Sequence, residues 1–207
     1  MRYVMIEFLL ASASPRRKEI LQNLGIGFRT IPAPEIDEEI YLNNSLISPE
    51  DTALQLAEKK SLALKLTDFE LALTADTVVA IDNLTLGKPK TDNEASQFLQ
   101  KLSGEKHRVI TAIALKKGSE KPRLSYESTD VFFKPMSDDE INWYISTGEP
   151  FGKAGGYAIQ GLGSIFITSI NGCYFNVVGL PITLLMKMLT KYEINFRDLI
   201  HSGGGHI

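Results

Sequence analysis

The stretch Leu71-Ala-Leu-Thr-Ala-Asp-Thr-Val-Val-Ala-Ile81 decides the fold class. Apart from Asp76 and its threonine neighbours it is an apolar run rich in Val and Ile, the pattern of a strand buried on both faces. Upstream, Ile6 to Ala11 reads as a short strand, and Ser14-Pro15 as an N-cap with proline at the first helical position of a helix running to about Leu24, stopped by Gly25. Phe28 to Ile31 reads as a second strand, Glu35 to Glu39 as an acidic loop, and Ser48-Pro49-Glu50-Asp51 as the start of a helix to about Leu66. Downstream, Thr91 and Glu94 form a capping box for a helix carrying Ala95, Phe98, Leu99 and Leu102 on one face. Val109 to Leu115 and Ser125 to Phe133 read as paired strands, Ser137 with Glu140 caps a helix over Ile141 to Thr147, and a last helix lies near Ile182 to Leu189. The order predicts an α/β fold, a mixed central sheet flanked by helices, with two lobes around a central cleft. No repeat or long linker interrupts it, so residues 1–201 read as one domain and the glycine-rich 202–207 as a disordered tail.

Composition narrows the function. The 207 residues carry 22 Lys plus Arg against 25 Asp plus Glu, a net charge of −3, enough chain to bury a core without disulfides or structural metal. That slightly acidic balance argues against a protein that coats polymeric nucleic acid, which needs clustered excess cations. Cys173 is the only cysteine, and with only His107, His201 and His206 beside it no zinc-ligand spacing exists, so the compartment reads as reducing and cytoplasmic. Met1 to Leu10 lacks the features of a signal peptide. Ala154 to Met186 contains no Asp, Glu, Lys or Arg and exceeds the roughly 20 residues of a membrane span. Its glycines, Asn171, Asn176 and Pro181 would leave backbone groups unsatisfied in lipid, so it reads as short buried strands and turns, with no membrane partner.

Three constellations carry chemistry. Ser12-Ala-Ser-Pro-Arg-Arg17 lies where a strand ends and a helix begins; helix N–H groups, hydroxyls and two guanidinium forks suit a polyanion. A capped helix with a solvated basic first turn is the competing reading, although basic residues there oppose the helix dipole. Asp76, ionised in a buried strand, costs several kcal/mol unless it is paired or holds a metal, so it is a site candidate, or else a buried cap for a neighbouring loop. Lys60 falls in the apolar stripe of Ala53, Leu56, Ala57 and Leu64, so it either reaches a partner in the core or snorkels past the helix edge. The acidic loop offers a metal ligand, a base or merely a solvated run, and Gly87-Lys88-Pro89 presents a lysine from a turn that is not a P-loop. His107 reads as structural, and Ser12 and Ser14 lack a nucleophile elbow. An anion-binding turn with acids and lysines near a cleft points to phosphoryl or nucleotidyl chemistry with a hard divalent cation such as Mg²⁺.

The chain resembles the Maf family of nucleoside triphosphate pyrophosphatases. The motifs that carry the resemblance are Leu10-Ala-Ser-Ala-Ser-Pro-Arg-Arg-Lys-Glu-Ile-Leu21, Ile36-Asp-Glu38, Leu56-Ala-Glu-Lys-Lys60, Ala75-Asp-Thr-Val-Val79, Gly87-Lys-Pro89, Leu102-Ser-Gly-Glu-Lys-His107, Lys153-Ala-Gly155, Ile159-Gln-Gly161 and Val178-Gly-Leu-Pro181. It implies an elongated, two-lobed fold shared with inosine triphosphatases, cleavage of a nucleoside triphosphate to monophosphate and pyrophosphate, a divalent cation (Mg²⁺ or Mn²⁺) and a homodimer. By resemblance the catalytic residues are Asp76, Glu38, Lys60 and Lys88, with Glu38 and Asp76 as metal ligands. Ser12, Arg16 and Arg17 are expected on the triphosphate. Arg16, Thr77 and Gln160 match the branch acting on dTTP and UTP, not the one acting on 7-methyl-GTP. One departure stands out: the family usually has an aspartate before Lys-Ala-Gly, where this chain has Gly152. Two rivals remain, a non-catalytic nucleotide-binding regulator of cell division and a house-cleaning hydrolase of non-canonical purine triphosphates.

Overall fold

The computed structural model describes residues 6–42, 46–82 and 84–200; the expected disordered tail lies outside them. In chain order the elements are β1 (Glu7–Ala11), α1 (Pro15–Asn23), β2 (Arg29–Ile31), α2 (Glu39–Leu42), α3 (Pro49–Leu62), β3 (Glu70–Ile81), β4 (Leu84–Leu86) and α4 (Asp92–Leu102). Then follow β5 (Lys106–Lys117), β6 (Arg123–Phe133), α5 (Asp138–Ser146), β7 (Ile167–Asn171), α6 (Tyr174–Val178), α7 (Ile182–Leu189) and α8 (Phe196–Leu199).

The strands form one mixed sheet in the order β2-β1-β3-β5-β6-β7, with β4 also on β3. The pairs β1–β2 and β1–β3 are parallel, and the remaining pairs are antiparallel. Strand β3 is buried on both faces as its composition predicts. Because side chains alternate along a strand, its residues sort into separate cores. Leu71, Leu73 and Ala75 join β1, α1 and α7 in one core, while Val79, farther along the same face, joins α4, α5 and β6 in a second. The opposite face, Val78 and Ala80 with Ile110, Ala112 and Ala114 of β5, packs against Ala53, Leu56 and Ala57 of α3. The two cores on the first face part at Thr77 and Thr111, which are in register.

The gap in the sheet edge creates the site. On the side of β3 away from β5, β1 pairs with residues 70–73 and β4 with 79–81. Between them residues 74–78 have no strand neighbour on that side among the described residues, and Asp76 lies at the midpoint of that free edge.

Local signals held where a cap or stripe was present. Ser48 accepts the Asp51 N–H, and Ser137 with Glu140 closes a reciprocal capping box. At α4, Thr91 accepts from the Glu94 N–H, but the Glu94 carboxylate turns back to the Lys90 N–H, so the expected box is shifted by one residue. Helix α3 stops at Leu62 instead of Leu66 as the chain turns toward β3, and the Leu64 carbonyl beyond it accepts from the buried Lys116 ammonium at 2.7 Å. The segment 154–181 differs most from expectation, while α7 follows it where a last helix was expected. The segment holds the single strand β7, 3-10 turns at Ala154–Gly156 and Leu162–Phe166, and helix α6. No helix among the described residues is long and apolar enough to cross a membrane.

Candidate active site

A cavity of about 710 Å³ opens over the free edge of β3, within the size range of small-molecule sites. It is lined by the β1–α1 turn, the acidic loop, Lys60, Asp76, Thr77, Lys88, and the segments around Lys153, Gln160 and Gly179.

Lys60 arrives by helical arithmetic. Thr74 Oγ1 donates to the Ala57 carbonyl at 2.9 Å, tying α3 to β3. Three residues on along the helix and two along the strand bring Lys60 over Asp76. The alanines on this face of α3 permit the close approach. Lys60 Nζ donates to Asp76 Oδ1 and, at 2.8 Å, to Glu38 Oε1. Glu38 Oε2 in turn accepts from Lys88 Nζ at 2.8 Å. The chain Asp76–Lys60–Glu38–Lys88 therefore alternates in sign, from the nearly buried Asp76 side chain (8% exposed) to the half-exposed Lys88 (48%). Alternation is what permits charges at this depth, since an unpaired buried ion costs several kcal/mol.

Burial pushes the Asp76 carboxyl above its ordinary value, more than Lys60 pulls it down. Burial pulls Lys60 down, but Asp76 and Glu38 outweigh it and raise the ammonium. At Glu38 burial acts upward, yet Lys60 and Lys88 together hold the carboxyl below its usual range. None of the described hydrogen bonds uses Asp76 Oδ2.

The β1–α1 turn follows its sequence with one exception. Ser14 is the N-cap and Pro15 opens α1, but the Ser14 side chain makes no capping bond. Ser12 Oγ instead accepts from the Ser14 N–H at 3.2 Å and from Arg17 Nη1 at 3.2 Å. The two arginines have different tasks. Arg17, expected on the triphosphate, has its fork committed to protein: Nε to the Gly179 carbonyl (2.8 Å), Nη1 to the Ala75 carbonyl (2.8 Å) and Nη2 to Thr77 Oγ1 (3.0 Å). It satisfies the free edge of β3 and frames the cavity. Arg16 makes only a long contact, Nε to the Val178 carbonyl at 3.4 Å, and no ion pair among the described residues.

Thr77 continues the frame inward. Its hydroxyl lies 2.9 Å from Thr111 Oγ1, and Thr111 Oγ1 donates to the Asn176 carbonyl at 2.9 Å. A hydroxyl has one hydrogen, so Thr77 donates to Thr111, accepts from Arg17 and presents the cavity with an acceptor. Asn176, fully buried, accepts the Thr111 N–H and donates to the Val109 carbonyl and Thr129 Oγ1.

Gln160 is exposed on the cavity wall, in a turn closed by the Gly161 N–H to the Ala158 carbonyl. Lys88 is held by the Gly155 N–H, which donates to the Gly87 carbonyl at 2.9 Å. Gly152 is at φ +73°, with open space where a side chain would begin. Sequence reasoning missed Lys153, Thr111, Asn176 and Glu149. Lys153 Nζ donates to the Glu149 carbonyl at 2.6 Å. Burial lowers its ammonium, and the charge of Arg16 lowers it further. Lys153 sits inside a family motif, but nothing in its spacing marks it.

Taken together, the cavity sets five cationic side chains against three carboxylates. Residues 7–192 match the family described as Maf-like protein. The chain belongs to the Maf-like family. Among curated relatives, a protein of Desulforamulus reducens named dTTP/UTP pyrophosphatase is 44% identical over 92% of this chain and 98% of its own. Those of Caldicellulosiruptor bescii and Bacillus pumilus, named likewise, are 45% identical over 90% and 95%, and 43% identical over 92% and 98%, of the respective chains. The dITP/XTP pyrophosphatase of Mycobacterium abscessus superposes at a TM-score of 0.43 with 16% identity, covering 91% of this chain and 94% of that one.

Proposed function

We propose that this Maf-like protein hydrolyses dTTP and UTP to the monophosphate and pyrophosphate. The observation that carries the reading is the Asp76–Lys60–Glu38–Lys88 chain on the cavity wall, with Asp76 Oδ2 unused. The names of relatives at 43–45% identity along nearly the whole chain point the same way.

Asp76 accepts a proton at Oδ2 from the water that attacks the α-phosphorus, as its burial-raised carboxyl suits a general base. The new bond joins the water oxygen to the α-phosphorus, the α–β bridging bond breaks, and pyrophosphate leaves with the bridging oxygen. Lys60 and Lys88 neutralise charge developing on the phosphate oxygens. Ser12, Arg16 and the N-terminus of α1 hold the triphosphate, with Arg17 fixing their frame. Thr77 and Gln160, with Arg16, face the base. Glu38 and Asp76 would supply the carboxylates for a divalent cation, Mg²⁺ or Mn²⁺, with substrate phosphates completing the donor set once Lys60 and Lys88 turn from the carboxylates to those phosphates. When bound, that ion supplies Lewis-acid stabilisation of phosphoryl oxygens. The protein is a cytoplasmic homodimer in this reading, without polymeric nucleic acid or membrane partners. Gly152 lines the cavity with open space where a side chain would begin, and the carboxylate it lacks is the one feature that favours the non-catalytic regulator.

Pyrophosphate release from dTTP, UTP, GTP and ITP, with and without Mg²⁺, tests the assignment. Fastest turnover of dTTP and UTP is expected, with a loss of about 10³-fold or more for Asp76→Asn. Full activity in that variant would remove Asp76 as the base, no release from any triphosphate would favour the regulator, and faster ITP turnover the purine hydrolase.

A further inference from the structure

We propose that Glu149 is a positioning residue for base recognition, acting through Gln160; this rests on the reading of the cavity given above. Glu149 is not among the cavity-lining residues. It follows α5, and its carboxylate reaches across to the segment that carries Gln160. Oε1 accepts from Tyr144 Oη at 2.8 Å and from the Gly163 N–H at 2.9 Å, and Oε2 accepts from the Leu162 N–H at 2.9 Å. The two backbone donors open the 3-10 turn Leu162–Phe166, whose first N–H groups have no partner within the turn. One carboxylate thus caps the element that begins two residues after Gln160.

The surrounding sequence is shaped to admit that carboxylate. A Cβ on Gly161 would lie 2.3 Å from Glu149 Oε2, and a Cβ on Gly163 would lie 2.6 Å from Tyr144 Oη. Neither glycine has a positive φ, so their identity answers to close approach, not to backbone conformation. In Gln160-Gly-Leu-Gly163 the glycines let the backbone descend onto Glu149 and Tyr144, and Gln160 is left at the rim of a turn with little freedom. Tyr144 is fully buried, which fixes the far end of the contact. The main chain of Glu149 adds a second tie, since its carbonyl accepts from Lys153, another cavity-lining residue. The two backbone N–H groups and the tyrosine hydroxyl more than offset the upward effect of burial, so the carboxyl is held below its ordinary value and stays ionised at neutral pH.

A staple that only stabilises the fold would lower activity independently of Gln160. A positioning residue acts through it, and a double-mutant cycle separates the two. Steady-state UTP hydrolysis by the full chain is measured for the wild type, Glu149→Ala, Gln160→Ala, the double variant and Glu149→Gln. Glu149→Ala is expected to raise KM for UTP about tenfold with kcat within about threefold, and to weaken the preference for UTP over GTP. In the Gln160→Ala background the same change should add no more than about twofold. Glu149→Gln keeps one acceptor oxygen for Tyr144 and Gly163, so it should recover part of the loss in KM. Multiplying effects, or a fall in kcat at constant KM, would overturn the proposal. If Glu149→Ala does not fold, Glu149→Gln carries the cycle with the same criteria. If the wild type releases no pyrophosphate, the reading of the cavity has failed separately, and the cycle is read in UTP binding by calorimetry. There non-additivity supports the role of Glu149 and additivity ends it.

Discussion

At Lys60 one ammonium serves two carboxylates, and the asymmetry of that arrangement predicts how the cluster responds to substitution. Lys60→Met strands Asp76 almost without water and leaves Glu38 to Lys88 alone, whereas Asp76→Asn leaves Lys60 its contact with Glu38. Removing one partner of a buried pair is costly because the other remains buried and charged. Lys60→Met is therefore expected to lower stability by about 3 kcal/mol and Asp76→Asn by about 1 kcal/mol, with the double variant less affected than the sum. Urea unfolding of the three variants at neutral pH checks this; strict additivity would mean the pair is not coupled. Both residues were legible in the sequence because each violates a pattern, Lys60 an apolar helical stripe and Asp76 a doubly buried strand. Glu149 was not, because its donors are a tyrosine five residues upstream and two backbone N–H groups. Backbone donors have no residue code, so a contact with them leaves only an indirect trace, here the paired glycines of the turn. Arg17 was legible as a cation but not as a frame, since its acceptors are carbonyls of Ala75 and Gly179, brought together only by the fold.

Among the elements, the long strands and the amphipathic helices were legible, and the short pieces between residues 150 and 181 were not. Helix α4 satisfies its own backbone groups and advertises the fact by periodicity, and β3, paired with its neighbours, is marked by an apolar run long enough to be buried on both faces. Turns of three to five residues do neither; their ends are satisfied by side chains from elsewhere, such as Glu149 and Thr129. Strand β4, three residues long, is too short for alternation to register, yet it ends the free edge of β3 and so closes the site. In this region two left-handed glycines separate conformational need from packing. Gly152 and Gly155 are at φ +73° and +68°, but a Cβ on Gly152 meets nothing within 4 Å, whereas one on Gly155 would lie 2.8 Å from Val79. Gly152→Ala is expected to cost about 1 kcal/mol, the backbone strain alone. Gly155→Ala adds overpacking and should cost about 2–4 kcal/mol in total. It should also raise KM, because the Gly155 N–H holds the turn that presents Lys88. Denaturant titration of both variants checks the ordering, and equal losses would show that Val79 yields freely.

For the molecule as a whole, a net charge of −3 conceals a local excess of cations at the cavity, and one buried neutral base links global stability to pH. His107 is 1% exposed, wedged edge-on between Phe133 and Tyr157 in the core formed by α4, α5 and β6. Its Nε2 lies 2.8 Å from Tyr157 Oη, and its Nδ1 has no partner among the described residues. With no carboxylate against the ring, burial penalises the imidazolium and lowers its pKa to about 4, against the ordinary 6.5. The unfolded chain therefore binds this proton first as pH falls. Stability from this residue is whole above pH 6.5, erodes between 6.5 and 4 and is lost below that, a difference of about 3 kcal/mol. Paired carboxylates also lose stability on acidification, so the wild type alone does not isolate the effect. Unfolding of His107→Gln in parallel does: its absolute stability is expected to be lower at pH 7, but its loss between pH 7 and 4.5 should be about 2 kcal/mol smaller than that of the wild type. If the two curves fall in parallel, His107 takes up its proton in the folded state as readily as in the unfolded one, and the aromatic core around it admits the charge.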